Sequence, residues 1–182
     1  MSENGARKVR AVSVSNSGQF RLAPSLSTDR PYDNTGRALE AMHPADRVVA
    51  SDVLGRISFW APDVRFTDPL GLNEPEVAAT RERGDYFGKR NDAITADRHP
   101  VVVASNYWIG MDSLYQAGRD RGEDYVAVVN PGLTEDRVFL LVERAWSSRL
   151  IDALRPYYGA LSSSVEYEPA RARWQTRFPK GQ

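Results

Sequence analysis

Two short apolar runs leave this chain few folds to choose from. Val48-Val49-Ala50-Ser51 leads into Asp52, Val101-Val102-Val103-Ala104-Ser105 leads into Asn106, and each run follows a His-Pro pair, His43-Pro44 and His99-Pro100. Their apolar residues are consecutive rather than alternating, which is the pattern of strands buried on both faces, as in a parallel sheet covered by helices on either side. Further strands are read at Val64–Thr67, Tyr125–Val129 and Phe139–Val142. Helices are read at 35–42, 76–83, 91–97 and 112–121 and from Trp146 onward, with Pro156 as a kink or stop. The expected fold is therefore α/β, a single three-layer domain with a mainly parallel sheet over residues 35–161. Residues 1–34 and 162–182 are polar and read as flexible arms; Arg171 to Arg177 forms a basic, Trp-containing tail.

In a sheet of this kind ligands sit at the carboxyl ends of the strands. Asp52 and Asn106 then belong to one edge of the domain. Other chemistries lose support on composition. The 24 basic and 24 acidic residues cancel, so the total carries no footprint for nucleic acid or an anionic surface. There is no cysteine, which removes disulfides, thiolate metal sites and a cysteine nucleophile. A histidine-based triad or zinc site would have to be built from His43 and His99 alone, and both are read as helix-end residues near the last carbonyls. Gly71-Leu72-Asn73 matches neither a dinucleotide nor a P-loop pattern. No cofactor or metal is expected.

The densest run of unusual residues is Asp52 to Ala78. Gly55 is read as tolerating close backbone approach, and Asp68-Pro69-Leu70-Gly71 as a turn. Each polar or aromatic residue here has two roles open to it. Asp52 either binds a polyhydroxylated ligand or caps a helix starting near Val53. Arg56 either pairs with Asp52 four residues earlier or contacts the ligand. Trp60 either stacks on a ring or packs inward against the core. Asp68 either acts as a second carboxylate or holds its own turn. With Asn73 and Asn106, these make the candidate ligand-binding set. Asp52 with Asp68 is also the carboxylate pair that a small glycoside hydrolase would need.

The order of residues in Arg47 to Asp52, Gly55 to Trp60 and Thr67 to Ala78 resembles the soluble extracytoplasmic C-terminal domain of actinobacterial GT-C membrane glycosyltransferases, within them the arabinofuranosyltransferase-like proteins. Asp52-x-x-Gly55-x-x-x-Phe59 and Asp68-x-x-Gly71-Leu72, closing on Val77-Ala78, carry the likeness, which spans about Tyr32 to Asn106. Members of that family extend cell-wall arabinan from a polyprenyl-phosphate-linked arabinose, and their catalytic carboxylates lie in a membrane-embedded portion that this chain does not contain. The resemblance therefore implies an accessory domain, non-catalytic alone, contacting a glycan acceptor, with a cell-wall polysaccharide as partner and an extracytoplasmic location. The alternative is an interaction domain docking on a membrane-embedded protein through Tyr86, Phe87 and the Trp174 tail. Taken by itself the chain reads as cytoplasmic, since Arg7, Lys8, Arg10, Asn16 and Gln19 interrupt any signal-peptide core and no run reaches the ~20 apolar residues of a membrane span.

Overall fold

The computed structural model of the chain describes residues 13–14, 20–21, 30–42, 44, 47–71, 73–79, 92–135, 138–159 and 162–179. The chain divides into two compact units, Met1–Arg30 and Pro31–Gln182. In the first, β1 (Ser13–Val14) pairs antiparallel with β2 (Phe20–Arg21). The rest of the expected N-terminal arm before residue 30 lies outside the described residues, as do His43, Tyr86 and Phe87.

The second unit is built on a six-stranded sheet in the order β4-β3-β5-β7-β6-β8. Its strands are β3 (Val48–Ser51), β4 (Arg65–Thr67), β5 (Pro100–Ser105), β6 (Tyr125–Val129), β7 (Phe139–Glu143) and β8 (Ser163–Glu166). The two echoing runs are neighbours in parallel register, Val49 opposite Val102 and Ser51 opposite Ala104. β4 is parallel to β3, whereas β5–β7, β7–β6 and β6–β8 are antiparallel. The sheet is thus mixed, with two parallel pairings and three antiparallel ones, and not mainly parallel as expected. The reason is the length of one connection. β6 and β7 are adjacent and joined only by residues 130–138, shorter than the dozen or so that a parallel crossover needs. β3, β4, β5 and β6 nevertheless all run the same way, so their carboxyl ends share one edge of the sheet.

Helices cover both faces. On one, Ala38, Leu39 and Met42 of α1 (Arg30–Met42), Ile57 of α2 (Leu54–Ile57), Leu133 of α6 (Pro131–Glu135) and Leu150 and Leu154 of α7 (Ser147–Tyr158) pack on Val49, Val102, Val126 and Leu140. On the other, Ala96 of α4 (Asp92–Asp97), Met111 and Leu114 of α5 (Ile109–Asp120) and Tyr167, Ala170 and Trp174 of α8 (Tyr167–Arg177) pack on Val103, Ala127 and Leu141. The alternation of Val126 and Val128 with Tyr125 and Ala127 across these two clusters is the period-2 signature of a strand buried on both sides. The short α3 (Pro75–Ala79) is the remaining α-helix among the described residues. α1 starts at Arg30 and not near Thr35: Pro31 suits the first turn, where its missing N–H is not needed, and Asp33 faces the positive end of the dipole.

The expected C-terminal arm is the second correction. Residues 163–166 pair with β6 as an edge strand, and α8 buries Tyr167, Ala170 and Trp174, three side chains at i, i+3 and i+7. Beyond that one stripe the helix is polar, which is why its composition reads as a solvated end.

Two buried tyrosines tie the helical layer to the sheet and give the fold an alkaline limit. The Tyr125 hydroxyl donates to the Pro100 carbonyl and that of Tyr167 to the Asp112 carboxylate. Burial is the main cause pushing both phenols above their ordinary range, followed by the Glu123 charge for Tyr125 and the Asp112 hydrogen bond for Tyr167. A raised folded-state pKa means that the folded chain holds its proton longer than the unfolded chain. Their contribution to stability is therefore fully present below about pH 10 and is lost as pH rises beyond it, by up to ~1.4 kcal/mol per pH unit for each tyrosine. Urea midpoints measured between pH 8 and pH 11, in wild type and in Tyr167→Phe, are expected to fall above about pH 10, less steeply in the variant; equal slopes would refute the assignment.

Candidate functional site

The site begins at the turn after β3. Ser51 closes the strand, and its Oγ accepts the Val53 N–H at 3.1 Å, which leads the chain into α2. α2 has no side-chain cap, so Asp52 is not used as the helix cap that its position suggested. Its carboxylate instead crosses to β5: Ser105 Oγ donates to Oδ2, and the Asn106 N–H donates to Oδ1 at 3.3 Å. Ser105 Oγ also accepts the Tyr107 N–H at 3.0 Å. The carboxylate thus clamps the ends of the two echoing strands together, across a separation of more than fifty positions in sequence. Hydrogen bonds to a charged acceptor are among the stronger ones, ~1.5–3 kcal/mol each.

α1 closes the site from one side. Tyr32 packs against the core, and its hydroxyl is raised above its ordinary pKa first by burial and then by the Asp52 charge; the Arg56 guanidinium and a hydrogen bond with Asn106 pull the other way. Arg56 lies 3.6 Å from Asp33 and 5.6 Å from the centre of the Tyr32 ring. Asp52, Asn106, Tyr32, Arg56 and Asp33 therefore meet in one polar cluster. The Asn106 side-chain oxygen is buried within it and, among the described residues, has no hydrogen-bond partner. An unsatisfied buried acceptor costs free energy unless a donor reaches it, and a ligand hydroxyl or N–H is such a donor.

The other sequence-predicted residues serve different ends. Trp60 sits on a single 3₁₀ turn, with the Arg37 guanidinium 3.9 Å from its ring centre and Phe59 edge-on at 5.1 Å. One face of the ring is thus covered by Arg37, while Phe59 is 51% exposed. Asp68 is buried, and its two oxygens accept the N–H groups of Leu70 at 2.9 Å and Asn73 at 3.0 Å. Glu74 accepts the Asp68 N–H at 3.2 Å and pairs with Arg98 at 2.6 Å. Asp68 is a turn residue, and the second carboxylate of the hydrolase reading is spent on backbone. Asn73 is exposed on the same turn.

Two members of this edge were missed in the sequence. Tyr32 fell in the segment read as an arm. Asn130 ends β6 as Asp52 ends β3, so the same rule of an apolar run followed by a polar residue could have found it; its Oδ1 accepts the Gly132 N–H at 2.8 Å, and its Nδ2 donates to the Tyr158 carbonyl and Ser162 Oγ. His99 lies at the opposite end of β5. It has a positive φ of 49°, and its Nδ1 meets Glu123 beside a cavity of about 130 Å³ lined also by Arg47, Tyr125 and Glu143.

Among the described residues, no group of three or more His, Asp or Glu side chains is placed to hold a metal ion, and no helix is long and apolar enough to cross a membrane. Trp174, the aromatic residue of the expected docking tail, is buried, 3% exposed. No curated protein and no solved structure matches the chain significantly. A family model described as a domain of unknown function, DUF8728, matches residues 17–169, which include the sheet and the Asp52–Asn106 clamp, and the chain belongs to that family.

Proposed function

We propose that this chain is an accessory, non-catalytic α/β domain that binds a polyhydroxylated glycan segment at the carboxyl ends of β3 and β5, in the setting of a cell-wall arabinofuranosyltransferase-like protein. The observation that carries the reading is the unpartnered Asn106 oxygen, held by the Asp52 clamp beside Tyr32 and Arg56. Sugar hydroxyls both donate and accept, and this cluster offers both functions from fixed side chains. The sequence likeness of Asp52 to Ala78 supports the choice of an arabinan-type ligand. A hydrolytic role finds little support in the geometry, because Asp68 is committed to its own turn.

Titration of the ¹⁵N-labelled protein with arabinan and arabinogalactan fragments tests the reading. Saturable shifts are expected at the Asn106, Tyr107 and Tyr32 amides, with dissociation constants on the order of 1 mM. Asn106→Ala removes the unpartnered acceptor and is expected to weaken binding by about 10-fold, the upper range for one neutral hydrogen bond. An unchanged spectrum at saturating sugar, or shifts confined to other surfaces, would sink the proposal.

A further inference from the structure

A second concavity lies on the same edge of the sheet but shares no residue with the cluster around Asp52. It has a volume of about 350 Å³ and is lined by Val129 and Asn130 at the end of β6, Ser163 at the start of β8, and Arg173, Trp174 and Arg177 of α8. Val129 and Ser163 are opposite one another in the last rung of the β6–β8 ladder, so the floor is fixed backbone. Asn130 is buried and fully engaged with Gly132, Tyr158 and Ser162. It shapes the rim and leaves the two arginines and the Ser163 hydroxyl as the polar groups turned to the space.

Arg173 and Arg177 are one helical turn apart and so lie on one face of α8. Three other arginines of the chain are neutralised: Arg171 by Asp112, Arg144 by Asp124 and Glu166, Arg155 by Asp152. Among the described residues neither Arg173 nor Arg177 is paired with a carboxylate. In a chain whose charges cancel overall, two unneutralised guanidinium groups facing one cavity are a local positive excess. A guanidinium presents a planar fork of donors that fits phosphate oxygens two at a time. Two such forks match a doubly charged group better than a single carboxylate. The volume falls in the ~300–1,000 Å³ range of small-molecule sites, larger than a bare phosphate needs, and Val129 with the edge of Trp174 gives an apolar wall for an organic remainder.

We propose that this cavity is a binding site for a small phosphate monoester, its phosphate held by Arg173 and Arg177 and its organic part seated against Val129 and Trp174. The site is independent of the glycan reading.

The test uses inorganic phosphate, ribose 5-phosphate and ribose, followed by calorimetry and by the Trp174 indole N–H resonance. Ribose 5-phosphate is expected to bind with a dissociation constant on the order of 1 mM or tighter, inorganic phosphate more weakly, and ribose not at all. The Arg173→Gln/Arg177→Gln double variant, and separately Ser163→Glu, which sets a carboxylate at the mouth, are each expected to weaken binding at least ~10-fold. Arg155→Gln, on another surface, should bind as wild type. All these positions are exposed, so circular dichroism should show each variant folded. Equal affinity in wild type and the double variant, ribose 5-phosphate binding no tighter than inorganic phosphate, or no saturable signal from either phosphate would overturn the proposal.

Discussion

Trp174→Ala is expected to destabilise the domain by about 3–5 kcal/mol, the usual cost of removing a buried Trp or Phe side chain. The indole is 3% exposed and lies 5.0 Å, centre to centre, from the Phe139 ring and 6.3 Å from that of Tyr167. Phe139 is fully buried at the start of β7, in the middle of the sheet. The Trp174 side chain therefore anchors the last helix onto the central strands, and alanine leaves a cavity between them that neither rigid neighbour can close. For a chain of this length the loss corresponds to a fall in Tm of roughly 6–20 °C. Differential scanning calorimetry of Trp174→Ala measures it directly. A change below about 1 kcal/mol, typical of a surface position, would mean that residues 162–179 do not belong to the core.

That result bears on what a sequence of this kind discloses. The four central strands were legible because each is a run of apolar residues that no solvated segment would carry; Val48–Ser51, Pro100–Ser105, Tyr125–Val129 and Phe139–Glu143 are all strands of one sheet. Their directions were not legible, because an apolar run buried on both faces reads the same whichever way its neighbour points. β8 escaped for the opposite reason. Ser163, Ser164 and Glu166 are exposed, and a short polar edge strand is how a sheet protects its unpaired side, so nothing in its composition marks it. The helix after it does carry a signal, Tyr167, Ala170 and Trp174 on one stripe, hidden among arginines and glutamates.

The candidate site divides in the same way. Asp52 and Asn106 were recognisable as a pair, since two matching apolar runs that end in Ser-Asp and Ser-Asn place their polar residues at equivalent strand ends if the strands lie side by side. Which groups they bond was beyond local reading: Asp52 had a good capping role within two residues, yet α2 is left without a side-chain cap and the Asp52 carboxylate bonds Ser105 and the Asn106 N–H across the sheet. Tyr32 could be placed only once α1 was known to start at Arg30. Asp68 shows the reverse case, in which the local Asx-turn reading describes the observed bonds.

The second large effect concerns the glycine on which the site's outer wall depends. Gly55, inside the motif that resembles the glycosyltransferase domain, was read as a point of close backbone approach, yet a Cβ added there meets nothing within 4 Å. The close approach is at Gly36 on α1, where an added Cβ would lie 2.4 Å from the Ile57 carbonyl oxygen and 2.9 Å from Trp60 Cβ. Neither neighbour is the tip of a flexible chain, so α1 itself has to move. Two opposite outcomes follow from these contacts. Gly55→Ala is expected to stabilise by about 0.5–1 kcal/mol, the gain from replacing an unconstrained helical glycine. Gly36→Ala would bring the same helix-forming gain, but overpacking of this kind costs ~1–3 kcal/mol, and the larger Gly36→Val should lose more still. Because α1 carries Tyr32 and Asp33 to Asn106 and Arg56, displacing it separates the two halves of the polar cluster. The Gly36 variants should therefore shift the Asn106 and Tyr107 amide resonances and lose glycan affinity even at temperatures where they remain folded, while Gly55→Ala leaves both unchanged. Chemical denaturation gives the sign of each effect, and a destabilising Gly55→Ala or a neutral Gly36→Val would show that α1 does not rest on the Ile57–Trp60 turn.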